Sequence, residues 1–270
     1  MYFANNLDGW QISRKSDLVA VLSGGTIQTT TDGGINWTTD YRGPYNAFNG
    51  LDFINSKIGW VLVEPNTNRL TSLVISNQVE LLQTIDAGAT WRPIVATTSN
   101  EIRYINFISA QDGLAIDSTG QLLETSNAGL TWTAVASAPA RIGSLCQASA
   151  DAFVGNGRSV FLEQSDGTWK SILTDIYLSQ TTTGAGVPIS FVLSCRYNTI
   201  VASVLFPPRN MQGESLAMVD ESLNGGKSWQ VIMSQPYGAP SVIGTISGYY
   251  TSLQGPTSFL SQIVSAKLGF

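Results

Sequence analysis

The sequence predicts an all-β fold, a β-propeller of four-stranded antiparallel blades with five recognisable blades and a partial sixth. Three observations predict it. A turn phrase ending in Trp recurs five times. A second phrase, Phe followed by Gly-Trp, precedes it. The runs between the two alternate polar and apolar residues with period 2.

The turn phrase first reads Thr30-Thr-Asp32-Gly-Gly-Ile-Asn-Trp37. It returns at Thr84–Trp91 around Asp86, at Thr125–Trp132 around Asn127, and at Ser222–Trp229 around Asn224. A shortened form is Gln164-Ser-Asp166-Gly-Thr-Trp169. The Trp-to-Trp steps of 54, 41, 37 and 60 residues scatter around the length of one four-stranded blade. Asp or Asn with Gly just after it is turn chemistry: the side chain accepts backbone N–H groups and Gly supplies positive φ. The Trp then opens the next strand, and its ring is expected to pack between neighbouring sheets, worth roughly 1.5–3 kcal/mol each.

The upstream phrase appears as Phe3…Gly9-Trp10, Phe53…Gly59-Trp60 and Phe107…Gly113-Leu114, with Phe153-Val-Gly155 as a weaker echo. Gly25–Thr30 and Gly120–Thr125 alternate as short strands bounded by Gly and Asn, and Ile200 to Phe206 suits a buried strand. No 3.6-residue periodicity is sustained, so few or no helices are expected. The predicted blades are 1–44, 45–99, 100–138, 139–178 and 179–236, within one domain over 1–270. Residues 237–270 form the partial sixth. Both ends fall at the same phase of the repeat, so the chain is expected to be a fragment of a longer protein or a ring closed by degenerate end strands.

The phrase Ser/Thr-x-Asp-x-Gly-x-Thr-Trp resembles the Asp-box, or BNR repeat, of sialidases, sortilin-type receptors and photosystem II assembly factors. Combined with Phe…Gly-Trp it is most similar to the photosystem II assembly and stability factor family and its bacterial relatives. The resemblance spans residues 1 to about 230. It implies a propeller, and in the assembly-factor family a non-catalytic binding role. That family uses an arginine patch, which matches no individual residue here.

Composition narrows the function classes. Apolar residues make 43% of the 270 and charged residues only 12%, about half the usual share. A surface of neutral polar side chains points to an extracytoplasmic or cell-surface setting. The net charge of −5 and the scattered Lys and Arg argue against nucleic acid. Histidine is absent, which removes His triads and His metal sites. No signal peptide opens the chain and no apolar run is long enough for a transmembrane helix. No cofactor and no metal site is expected. Cys146 and Cys195 fall in the first strands of neighbouring blades. A disulfide, worth roughly 4 kcal/mol by loop-closure entropy, and two buried thiols fit equally well.

The sialidase Arg-Ile-Pro phrase has only Arg141-Ile142-Gly143 as its nearest match. Asp52, Glu64, Asp112, Asp117, Asp175 and Asp220 are the candidates for a paired-carboxylate glycosidase. Asp112 reads better as a turn former, and Asp220-Glu221 as a solvated strand end. Calcium at Asp32, Asp86 and Asp166 is disfavoured, because Asn127 and Asn224 take the same place in other copies. Gly225-Gly-Lys227-Ser228 imitates a P-loop tail without the following helix, and the sequon Asn36-Trp-Thr38 lies inside a box.

The expected function is therefore a non-catalytic module that presents interblade loops to a protein or glycan partner. The loop residues Tyr41, Arg42, Tyr45, Arg209, Tyr249 and Tyr250 are the candidate binding positions, being aromatic or cationic and set in Pro-, Gly- or Tyr-rich stretches. The alternatives are a carbohydrate-active hydrolase with an incomplete catalytic set and a repeat domain of a surface or adhesion protein.

Overall fold

The computed structural model describes residues 1–13, 25–42, 48–63, 78–98, 100–148, 151–157, 159–173, 190–196, 198–205 and 215–237. They contain strands, turns and no helix. Five four-stranded sheets follow one another, each with its strands in sequential order and all pairs antiparallel. The first holds β1 (Tyr2–Phe3), β2 (Gly9–Ser13), β3 (Thr26–Thr30) and β4 (Thr38–Arg42). The second holds β5 (Phe48–Phe53), β6 (Gly59–Val63), β7 (Gln78–Thr84) and β8 (Arg92–Thr97). The third holds β9 (Ile102–Phe107), β10 (Gly113–Asp117), β11 (Leu122–Thr125) and β12 (Thr133–Ala134). The fourth holds β13 (Ser144–Ala148), β14 (Asp151–Gly155), β15 (Val160–Glu163) and β16 (Trp169–Leu173). The fifth holds β17 (Ser190–Arg196), β18 (Thr199–Leu205), β19 (Ser215–Ser222) and β20 (Gln230–Tyr237). Consecutive up-and-down strands of this kind are the blades of a propeller. The partial sixth unit, past Tyr237, lies outside the described residues. The contacts divide the chain into two compact units, Met1–Ala136 with three blades and Ser137–Gly269 with two.

In the first unit both faces of the middle blade are covered. Strand β6 is buried along its whole length. Trp60 and Leu62 join Leu81, Ile102 and Phe107 on one side, while Val61 and Val63 join Ile27, Phe48 and Leu82 on the other. Alternation sends successive side chains to opposite faces, so a strand with two covered faces reads as the unbroken run Gly-Trp-Val-Leu-Val.

The upstream phrase has a steric cause. Phe3, Phe53 and Phe107 end the first strands and pair with Gly9, Gly59 and Gly113 at the start of the second strands. The Phe ring lies across the glycine, and a Cβ there would meet it at 2.5, 2.5 and 2.7 Å. The same ring then meets the preceding blade. Trp10 stacks on Phe53 with centroids 4.1 Å apart, and Trp60 stacks on Phe107 at 3.8 Å and 8° between planes.

Trp91, Trp132 and Trp229 pack against the apolar clusters between neighbouring blades, but the turn-phrase tryptophans are only partly enclosed. Trp37, Trp91 and Trp132 are half-buried and pack edge-on against Phe3, Phe53 and Phe107 of their own blades, at 6.0–6.1 Å. The fully enclosed indoles are Trp10 and Trp60, 2% and 0% exposed. Phe53 and Phe107 are thus each held between the Trp of the preceding blade and the Trp of their own.

In the second unit, Phe153, Val160, Leu193, Ile200, Ala202 and Val204 form one core between the two blades. Phe153 is not an echo of the upstream phrase. It lies within β14 opposite Cys146, and Gly155 instead leaves room for the Phe191 ring of the fifth blade. A disulfide joins Cys146 on β13 to Cys195 on β17, linking the first strands of adjacent blades. Beside it the Leu193 N–H donates to Ser144 Oγ at 2.9 Å.

Candidate functional site

The recurring turns form one kind of structure. In the second blade Thr84 Oγ1 donates to Asp86 Oδ1 (2.8 Å) and accepts from Gly88 N–H (2.8 Å). Asp86 Oδ1 also accepts the Thr90 N–H (2.8 Å), and Oδ2 accepts the Thr90 hydroxyl (2.6 Å). The first blade repeats this with Thr30, Asp32, Gly34 and Asn36. In the third and fifth blades the side-chain bond reverses. Asn127 Nδ2 donates to Thr131 Oγ1, and Asn224 Nδ2 to Ser228 Oγ, both at 2.8 Å. A hydroxyl both donates and accepts, so Asp and Asn build the same turn. The shortened box keeps only the Thr168 N–H and hydroxyl on Asp166 Oδ1.

Two left-handed residues follow each full box carboxylate or amide: Gly33-Gly34, Ala87-Gly88, Ala128-Gly129 and Gly225-Gly226, with φ from 60° to 93°. This geometry places the first of them against the hairpin joining strands one and two. The N–H groups of Gly33, Ala87 and Ala128 donate to the carbonyls of Leu7, Lys57 and Gln111 at 2.8–2.9 Å. The second glycine meets the preceding blade: Gly88 faces Trp10, Gly129 faces Leu81, and Gly226 faces Ile172. Trp10 Nε1 also donates to Ala87 O at 2.9 Å. The box therefore folds its own hairpin and joins it to the neighbour.

The carboxylates singled out as catalytic candidates are separated by environment. Asp117 is buried, which pushes it up. The hydroxyl and N–H of Thr119, the N–H of Gln121 and the amide of Asn100 outweigh that and hold it below the ordinary value. Asp112 accepts from Ser109 within its exposed hairpin. Asp52 on β5 reaches the third blade, where it accepts the Phe107 N–H and, at 3.5 Å, Asn106 Nδ2. Burial between the blades pushes its carboxyl up to about 6 against those hydrogen bonds. Glu64 and Asp175 lie outside the described residues.

Asp220 and Glu221 are not a solvated strand end. They are 5% and 4% exposed on β19. Asp220 pairs with Ala202, whose face belongs to the core between the fourth and fifth blades. Burial pushes Asp220 up to about 6, and its Oδ2 has no hydrogen-bond partner. Glu221 points to the opposite face, where Gln230 Nε2 donates to its Oε2 at 3.0 Å. Sequence reasoning missed this burial because a charged pair beside a turn usually marks solvent. No group of three acidic or thiol side chains able to hold a metal occurs among the described residues.

Of the candidate binding positions, Tyr41 lies on β4, half-buried, with its ring 6.4 Å from Phe48 at the edge of the core between blades one and two. Arg42 ends β4 with its backbone opposite Thr26. Tyr45, Arg209, Tyr249 and Tyr250 lie outside the described residues. The structure adds positions the loop argument passed over. Leu7, Ile35, Ile85, Ile108 and Leu130 stand exposed at the hairpins and boxes of the first unit. Their signal in the sequence was an aliphatic residue inside a turn that needs none.

No family model and no curated protein matches the chain. Similar solved structures include YCF48 bound to D1 peptide, 17% identical over 85% of this chain and 78% of that one, with a TM-score of 0.47. YCF48 from Cyanidioschyzon merolae is 13% identical over 85% of this chain and 86% of its own, TM-score 0.43. The GH74 xyloglucanase from Xanthomonas campestris is 15% identical over 80% of this chain and 35% of its own, TM-score 0.48. These are likenesses and carry no statement about activity.

Proposed function

We propose that this chain is a non-catalytic β-propeller module that presents surface segments to a protein or glycan partner. One observation carries the reading: three of the described candidate acids are engaged in structural hydrogen bonds. Asp52, Asp112 and Asp117 each accept hydrogen bonds that fix a hairpin, a turn or an interblade contact. A general acid or nucleophile must keep its oxygens for the substrate. The Cys146–Cys195 bond suits an oxidising, extracytoplasmic or cell-surface setting.

A hydrolase is the second reading, and Asp220 is the observation in its favour. A buried carboxyl raised to about 6 suits a general acid. Its immediate acidic neighbour, Glu221, faces away and is engaged by Gln230. The test is turnover of fluorogenic sialosides and β-glycosides by the wild-type chain and by Asp220→Asn. The expected result is no turnover above blank for either. Turnover abolished in Asp220→Asn, with the melting temperature maintained, would overturn the non-catalytic reading.

A further inference from the structure

Exposed aliphatic side chains of the first unit gather at one edge of its three sheets. The hairpins at 4–8, 54–58 and 108–112 and the boxes at 31–37, 85–91 and 126–132 share that edge, because a box N–H bonds a hairpin carbonyl in every blade. The edge is continuous: Trp10 Nε1 donates to the second box, and Gly129 of the third box packs on Leu81 of the second blade. On it stand Leu7, Ile35, Ile85, Ile108 and Leu130, between 51% and 82% exposed. The turns use their backbones and none of their aliphatic side chains. The box hydrogen bonds use the residues on either side of Ile35, Ile85 and Leu130. Turn tips are ordinarily polar, so aliphatics repeated at one edge mark an interaction surface.

The charges on that edge choose among occupants. The six turns carry Asp8, Asp32, Asp86 and Asp112 against one cation, Lys57. Box hydrogen bonds hold Asp32 and Asp86 below the ordinary carboxylate value, so both stay negative at physiological pH. A second copy docked face to face would set carboxylates against carboxylates, and an anionic lipid surface would be repelled likewise.

We propose that the hairpin-and-box edge of residues 1–136 docks a polypeptide segment that carries aliphatic side chains interspersed with Lys or Arg. The proposal rests on the binding-module reading and names the surface and the partner chemistry. Aliphatic side chains bury against Ile35, Ile85 and Leu130, and cations meet Asp8 and Asp112 at the rim. The experiment titrates the intact 270-residue chain into a fluorescein-labelled peptide of alternating Leu and Lys. Leu/Glu and Ser/Lys peptides of equal length serve as controls. Binding of the Leu/Lys peptide alone is expected. It should weaken roughly tenfold or more in Ile35→Ser/Leu130→Ser and in Asp8→Asn/Asp112→Asn. Ile35 and Leu130 are exposed, and Asn at 8 and 112 keeps an oxygen to accept from Asn5 and Ser109, so both variants should keep the wild-type melting temperature; Leu7→Ser/Ile85→Ser is the second apolar pair should the first lower it. Equal affinity in the variants, equal binding of Ser/Lys, no binding of Leu/Lys, or self-association lost in the same variants each overturns the proposal. Peptide binding indifferent to these residues refutes this surface and leaves the module reading intact. Asp220-dependent glycoside turnover refutes the module reading and leaves the peptide result standing.

Discussion

At the scale of single residues, the box is defined by which atoms donate. Asp86 and Asn127 occupy one place because Thr90 and Thr131 hydroxyls turn to suit either. Asp86→Asn should therefore keep the turn and lower the melting temperature less than Asp86→Ala does, and chelator should change neither. The box aspartates also give a pH signature. Asp32, at about 2, Asp86 and Asp166 are lowered on folding, chiefly by hydrogen bonds from the residues that follow them. Their stabilisation is present above the ordinary carboxylate range and is lost as pH falls through the folded values. A triple Asp→Asn variant should lose less stability than wild type on acidification, read from melting temperatures. Asp52 has the opposite sign. Its folded value is raised to about 6, so the native state holds the extra proton, and this contribution fades as pH climbs from about 4 past 6. Asp52→Asn keeps an acceptor for the Phe107 N–H and should flatten that slope. A pH dependence identical to wild type would place Asp52 outside the interblade gap. Backbone strain is also local: Ala87 and Ala128 hold φ of 63° and 60°. Ala87→Gly/Ala128→Gly should raise stability by about 0.5 kcal/mol per site, seen as a higher midpoint in urea.

At the scale of elements, the two phrases are one device. The Phe that ends a first strand needs the Gly opposite, and the rings of Phe53 and Phe107 join the Trp of the blade before to the Trp of their own. Gly59→Ala should therefore cost about 1–3 kcal/mol, because its Cβ would enter the Phe53 ring and displace it from Trp10. Phe107→Ala should cost about 3–5 kcal/mol. Much of this was legible from the sequence, since turn chemistry and period-2 alternation are local. The strands at Thr26–Thr30 and Leu122–Thr125 fall inside runs that announce them, and Thr199–Leu205 overlaps the run from Ile200 to Phe206 with its start one residue earlier. What was not legible is set by contacts distant along the chain. Phe153 looks like a strand-ending Phe, yet pairs with Cys146. Asp220 looks solvated because no local pattern reveals the fourth blade lying over its face. The local pattern at the boxes does not show that the fully enclosed tryptophans are those that follow Gly9 and Gly59.

At the scale of the molecule, each unit is held by contacts between repeated blades. The first relies on aromatic stacking and the second adds a covalent link. Removing that link with Cys146→Ser/Cys195→Ser should cost roughly 4 kcal/mol by loop-closure entropy, seen as a lower midpoint in guanidinium. Unchanged stability would show that the apolar core around Phe153 and Leu193 suffices. The central claim is that the recurring residues hold the fold rather than perform chemistry, and amide hydrogen exchange tests it most directly. The N–H groups of Gly34, Gly88, Gly129 and Gly226 are bonded to box hydroxyls, and the Phe107 N–H to Asp52. The account predicts that all five exchange as slowly as the amides of the buried strand β6, although four of them lie in turns outside any strand. Exchange of the box glycines at the rate of open loops, with β6 still protected, would contradict it.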